Sequence, residues 1–218
     1  MFKSFFLSII VFAFILSDVI LPQKSNSFQV TGGIITPINS SKGIAGLIQY
    51  NYSLNEKFAI YFYSGYSVWD KYRINIRVGG SQTQKSLEIQ SYSSSDHKLI
   101  PLYLGTRINL HTNKLFTSYL NFELGYSHLT YKSYTNMKLV DPTTGEIVGY
   151  SVAQSPQKDE RENLFGVGVG IGLSRQITNN SSLLLATKLN SFLNPNKYGL
   201  LSAKGTYLMV LAGIDFSI

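Results

Sequence analysis

The sequence predicts an all-β chain: an eight-stranded antiparallel up-and-down transmembrane β-barrel, preceded by a signal peptide. Three observations predict it. Apolar residues alternate with small or polar ones in one run after another, each about ten residues long, which is the length a tilted barrel strand needs. The connections between these runs are short and long in turn. After the first apolar stretch, no segment is apolar for long enough to cross a bilayer as a helix, so crossing requires strands.

The composition agrees. At 218 residues the chain fits one domain. It holds 15 Tyr and 13 Phe against one Trp, with only 14% charged residues, a balance that suits strands and membrane interfaces. The absence of cysteine excludes disulfides, thiolate metal sites and a lipoprotein anchor. The formal charge is +7 and stays +7 when residues 1–23 are set aside, because that stretch carries only Lys3 and Asp18. The remaining basic residues are scattered from Lys24 to Lys204, which argues against nucleic acid and for a mildly cationic surface near anionic headgroups.

In chain order, residues 1–23 have the three-part build of a secretory signal: Lys3, an apolar run from Phe5 to Leu16, then a polar exit. No Ala-x-Ala triplet marks the cleavage point, and Ser25-Asn26-Ser27 lies far from the apolar run. Residues 24–218 form the barrel domain. The first strand is expected at 27–37, the second at 43–54 with Ile44, Ile48, Tyr50 and Tyr52 on one face, and the third at 58–69 after a tight Asn55-Glu56-Lys57 reversal. The fourth, at 99–110, sets Ile100, Leu102 and Leu104 against Tyr103, Gly105 and Arg107; the fifth, at 116–130, sets Leu120, Phe122 and Leu124 against Asn121, Glu123 and Gly125. The sixth and seventh form the hairpin 164–190, in which Phe165, Val167, Val169, Ile171 and Leu173 alternate with Gly166, Gly168, Gly170, Gly172 and Ser174 before Thr178-Asn179-Asn180-Ser181 reverses the chain. The eighth, at 205–218, places Leu208, Val210, Ala212 and Ile214 on one face.

Short connections follow the second, fourth and sixth strands, and the long ones lie at 70–98, 131–163 and 192–204. Short periplasmic turns and long external loops are the habit of bacterial barrels, so both termini are expected on the periplasmic side. The two longest loops are patterned as hairpins. Tyr72, Ile74 and Ile76 alternate with Arg73 and Asn75 before Gly79-Gly80-Ser81, and Asp141-Pro142-Thr143-Thr144-Gly145 reads as a type I turn with glycine in the left-handed position. Their strand edges could pair with an extended partner or shield the barrel mouth. Aromatic residues are expected as two interfacial belts, Tyr50, Tyr52 and Phe58 at one rim and Tyr66, Trp69, Tyr126 and Tyr131 at the other.

The runs Ile100-Pro101-Leu102-Tyr103-Leu104-Gly105-Thr106-Arg107-Ile108-Asn109-Leu110, Tyr119-Leu120-Asn121-Phe122-Glu123-Leu124-Gly125-Tyr126 and Phe165 to Gly172, with the Asn-rich turn, together resemble the small outer-membrane β-barrel superfamily, which includes the OmpA transmembrane domain and OmpX-like, porin-like proteins. The resemblance implies insertion by the outer-membrane assembly machinery through a C-terminal signal ending in an aromatic residue. Here Phe216 is followed by Ser217 and Ile218, a departure from that pattern. A peptidoglycan-anchoring domain, as in longer relatives, is not implied.

Four inward-facing charges are candidates for a polar network in the lumen: Arg107, Glu123, Lys188 and Asp215. An eight-stranded barrel is narrow enough for side chains to fill, so these groups are expected to neutralise one another as a plug, with a gated polar path as the alternative. No cofactor, metal or catalytic site is expected. The Gly ladder continues a strand and opens no helix, unlike a phosphate loop, and His97, His111 and His128 lack metal-ligand spacing. A Ser127–His128 pair with Ser133 nearby is the candidate for an outer-leaflet lipid-modifying enzyme, although adjacency on a strand sends the two side chains to opposite faces. The expected function is a non-enzymatic outer-membrane protein of a Gram-negative-type bacterium, with a structural or surface-interaction role. Its partners would be membrane lipid, the assembly machinery and an extracellular protein reached through the hairpins. A soluble lipocalin-like barrel carrying an apolar ligand is the alternative, and it would need the aliphatic face turned inward.

Overall fold

The computed structural model describes residues 26–38, 40–78, 87–112, 116–193 and 205–218. The expected signal peptide, the turn at Gly79-Gly80-Ser81 and most of the 192–204 connection lie outside the described residues. Nine strands are described: β1 (Ser27–Pro37), β2 (Gly43–Ser53), β3 (Phe58–Trp69), β4 (Tyr72–Val78), β5 (Leu87–Thr112), β6 (Phe116–Val140), β7 (Ile147–Thr178), β8 (Ser181–Phe192) and β9 (Thr206–Ser217).

Eight of them close into a ring. Each pairs antiparallel with its neighbour, β3 bonds directly to β5, and β1 pairs with both β2 and β9, so no edge is left in the wall. β4 stands outside the ring and pairs with the far part of β5, from Tyr72↔Ser94 to Val78↔Leu87. The period of two decides which way each side chain points. On β7 the residues from Phe165 to Leu173 at odd positions face outward and are 40% to 56% exposed, while the intervening glycines face inward and are buried. The same alternation leaves Ile100, Leu104, Phe122, Leu185 and Val210 exposed on their strands, so the outer wall is apolar from strand to strand.

The stretches 70–98 and 131–163 extend the wall as paired strands, as their hairpin patterning predicts: β4 pairs with the far part of β5, β6 runs on to Val140 and β7 already begins at Ile147, with Lys132↔Asp159 and Val140↔Ile147 among the β6–β7 pairs. The apolar pattern ends where the wall ends, but the backbone ladder does not, because a two-stranded ribbon satisfies its own hydrogen bonds in water. At its tip the carboxylate of Asp141 accepts the N–H of Thr143 at 2.7 Å and that of Thr144 at 3.4 Å, and Gly145 takes φ +70°, as the expected turn requires.

A proline interrupts the wall on β5. Pro101 has no N–H to give, and the β3–β5 ladder passes from Ser64↔Leu102 to Ser67↔Leu99 without pairing Gly65 or Tyr66. Ser64 Oγ–H donates to the Pro101 carbonyl at 2.9 Å and satisfies that group from the outer face.

Candidate functional site

The inward side chains fill the barrel in layers, which can be followed from the end with the short turns to the end with the hairpins. In the first layer Arg107 Nη2 donates to Gln29 Oε1 at 3.2 Å, Gln29 Nε2 donates to Asp215 Oδ2 at 2.7 Å, and Arg107 Nε reaches Asn121 Oδ1 at 3.5 Å. The guanidinium lies 4.0 Å from the centre of the Tyr119 ring, a cation–π contact that partly replaces its lost water.

The second layer is centred on Glu123. Its Oε2 accepts from Lys188 Nζ at 2.8 Å and Tyr61 OH at 2.7 Å; its Oε1 accepts from Tyr63 OH at 2.7 Å and Asn190 Nδ2 at 2.6 Å. Two donors on each oxygen satisfy the carboxylate, which is what a buried ion needs if it is to remain charged. Lys188 Nζ also lies 3.8 Å from the centre of the Tyr63 ring. The glycine ladder makes the necessary room. A Cβ at Gly168 would run into Glu123 and Asn190, and one at Gly172 would run into the Tyr119 ring.

All four charges predicted from the sequence therefore point inward, but they do not form one cluster. Glu123 and Lys188 pair directly, whereas Arg107 and Asp215 are joined only through Gln29. The reason is height: Asp215 is paired with Gln29 close to the barrel's short-turn end, a full layer away from Glu123. Sequence reasoning missed Gln29, Tyr61, Tyr63 and Asn190. Their inward parity was the available signal, but parity does not say which residue across the barrel each one meets.

Beyond Glu123 the chemistry changes. Tyr103, Tyr207 and Ser127 bring their hydroxyl groups together, and Tyr103 stacks on Tyr63 at 5.3 Å. Leu99, Leu129, Leu164 and Phe192 then form an apolar layer. At the mouth the His97 ring is sandwiched between Trp69 at 5.1 Å and Tyr131 at 5.4 Å. Its Nδ1 lies 2.7 Å from the Asp70 carbonyl and so donates, and its Nε2 lies 3.0 Å from Ser94 Oγ. This corrects the expected second aromatic belt. Tyr66 and Tyr126 do face outward, but Trp69 and Tyr131 have odd, inward parity and form the lid of the lumen, with Tyr131 OH donating to Glu162.

The candidate catalytic pair is not assembled. Ser127 is buried in the lumen, while His128 points to the outer face and its Nδ1 meets Asn163 Oδ1 at 2.9 Å. Ser133 lies farther along β6 against the Lys158 carbonyl. The lipocalin-like alternative needs apolar residues inward, and the observed wall has them outward. Among the described residues no group of three or more His, Asp or Glu side chains is placed to hold a metal.

The closed antiparallel wall is shared with known proteins. Neisserial surface protein A superposes with a TM-score of 0.54 at 16% identity, over 90% of this chain and 100% of the other. A major outer membrane protein from Thermus thermophilus superposes with a TM-score of 0.55 at 11% identity, over 88% and 99%. The chain has the small outer-membrane β-barrel fold. No protein-family model and no curated protein sequence matches it, so the likeness is one of architecture. In this small barrel the plug therefore has to be understood from its own residues.

Proposed function

We propose that the protein is a non-enzymatic barrel of the outer membrane of a Gram-negative-type bacterium, with periplasmic termini, and that it acts through its protruding hairpins. One observation carries this reading: the lumen is occupied by side chains, whereas the β6–β7 ribbon continues as paired backbone far past the apolar wall. Ten residues separate Thr130 from Val140, and at about 3.3 Å per residue the ribbon extends roughly 30 Å along its strands beyond Thr130. A plugged barrel offers solutes little passage, while a stiff ribbon with free edges suits contact with an extracellular protein. The assembly machinery that inserts such barrels and the lipid around the wall are its other partners.

The test combines fractionation with protease treatment of intact cells. The expected result is a heat-modifiable membrane protein cut only within 70–98 and 131–163. Recovery in a soluble periplasmic extract, or cleavage of intact cells at the 54–57 turn, overturns the reading. The acyl pattern of lipid A is expected to be the same with and without the protein; a changed pattern would restore the enzyme reading.

A further inference from the structure

We infer that His97 is a pH-sensitive latch on the outer mouth of the lumen: its neutral ring holds the mouth shut, and its protonation releases it. Two hydrogen bonds fix the charge state of the closed form. A carbonyl can only accept, so Nδ1 carries the proton that goes to the Asp70 carbonyl at 2.7 Å, and Nε2 is left as the acceptor for the Ser94 hydroxyl at 3.0 Å. Ser94 and His97 are three residues apart and would lie on opposite faces of a regular strand. The extra residue in β5 between Ser95 and Lys98, with Asp96 at φ +53°, brings both onto the lumen side. A non-glycine residue in the left-handed region is strained, so the contacts of the closed latch have to hold that bulge in place.

One ring ties three strands together. Trp69 of β3 and Tyr131 of β6 cover its two faces at 5.1 Å and 5.4 Å, and Ser94 of β5 holds one edge. The other edge holds the root of the β4–β5 hairpin, because Asp70 opens the connection to β4. That connection has a second tie in Ser41, whose hydroxyl oxygen accepts the N–H groups of Asp70 and Lys71 at 3.1 Å and 2.9 Å. A proton on Nε2 sets two donors, the ring N–H and the Ser94 O–H, against each other in a site where Ser94 is 1% and His97 3% exposed. The surroundings give the new charge no net help. Around the mouth the acidic side chains Asp70, Asp96, Asp159 and Glu160 are matched by Lys42, Lys98, Lys132 and Arg161. Asp96 is paired with Lys132, Glu160 with Lys158, and Glu162 takes the Tyr131 hydroxyl. The aromatic faces attract a cation, but less strongly than burial penalises an ion without a partner. The ring therefore leaves the stack when it charges, and the hairpin root loses one of its two ties.

Histidine titrates between about pH 5 and about pH 8, so the mouth is closed above that range and opens as pH falls through it. Trp69 is the only tryptophan in the chain and reports the event directly. The experiment is acrylamide quenching of its fluorescence in the folded barrel, in detergent micelles, across that range. The expected result is a Stern–Volmer constant that rises about threefold in one reversible step as the solution is acidified. The step is absent from H97F, which keeps a ring in the stack but cannot titrate, and is kept in H128Q, which removes the other histidine at the mouth. An emission that dims in acid while the quenching constant stays level overturns the inference, because the ring then charges inside a closed stack. So does a step that survives in H97F, or one that is lost in H128Q. Heat-modifiable mobility checks the folding of each variant, and H97Q takes the place of H97F if H97F fails that check. A level response removes the latch and leaves the hairpin reading above intact.

Discussion

The wall and the lumen of this barrel are made from alternate residues of the same strands, yet they follow different rules. On the wall, Val169, Ile171 and Leu185 are exposed, and under the membrane reading proposed above they need only be apolar, because lipid would fit itself to whatever shape they present. In the lumen, Gly168 must be small because Glu123 and Asn190 occupy its space, and Glu123 must be charged because Lys188 lies 2.8 Å away. The outward residues are interchangeable within a chemical class, and the inward ones are fitted to one another. Substitutions that are alike in chemistry but differ in face should separate the two regions.

The largest effect is expected at the ion pair. Lys188→Met leaves the Glu123 carboxylate buried with no counter-charge and should cost about 3–5 kcal/mol, read from the midpoint of urea unfolding in lipid vesicles. The double variant Glu123→Gln/Lys188→Met should recover much of that loss, and Leu185→Met on the neighbouring outward face should be close to neutral. If Lys188→Met is as mild as Leu185→Met, the pair is not holding the lumen together. In planar bilayers Glu123→Gln should leave conductance low; a sharp rise would mean that the plug gates a polar path.

The wall has its own failure mode. Val169→Arg puts a charge on the lipid face near mid-height and should cost about 2–4 kcal/mol in the same assay. If Val169→Arg is tolerated in vesicles, that face does not meet hydrocarbon. A smaller step compares glycines. Gly172→Ala pushes a methyl group into the Tyr119 ring and should cost about 1–3 kcal/mol, whereas Gly32→Ala, whose Cβ would meet only the Ala45 carbonyl at 3.8 Å, should be neutral or slightly stabilising. Equal effects at the two sites would show that the ladder is not shaped by the side chains facing it.

The same contrast explains what could be read from the sequence. The wall was legible almost residue by residue, because a period of two is local and survives in any single strand: β1 and β3 begin and end where the alternation does. The inward set was also legible as a set, including Arg107, Glu123, Lys188 and Asp215. Its pairing was not, because contacts across the barrel depend on the stagger of the strands, which accumulates around the ring and is written in no single segment. Thus Tyr61 and Tyr63 reach the same carboxylate from successive inward positions of β3, while Asp215 misses it altogether. Trp69 and Tyr131 escape the sequence reading for a related reason. Near a rim, an aromatic residue suits either an interfacial belt or a lid, and only strict parity separates the two.

The smallest expected effect lies outside both regions, at the tip of the β6–β7 ribbon, where neither lipid nor a filled lumen lends support. There the local turn chemistry has to act alone. The N–H groups of Thr143 and Thr144 hold the Asp141 carboxyl below its usual value, so its folded-state pKa is depressed. A depressed carboxyl stabilises the turn above the unfolded pKa, about 3.9 for Asp, and that contribution fades as pH falls through the lower folded value. The tip should therefore loosen only in strongly acidic solution, seen as faster amide exchange at Thr143 and Thr144 relative to the trend of the wall amides. Asp141→Asn, which keeps an acceptor oxygen but cannot titrate, should remove the pH dependence while leaving the turn formed. If the tip loosens equally in acid with Asn at this position, the effect does not come from the carboxylate, and the turn is held by Gly145 and the ribbon ladder alone.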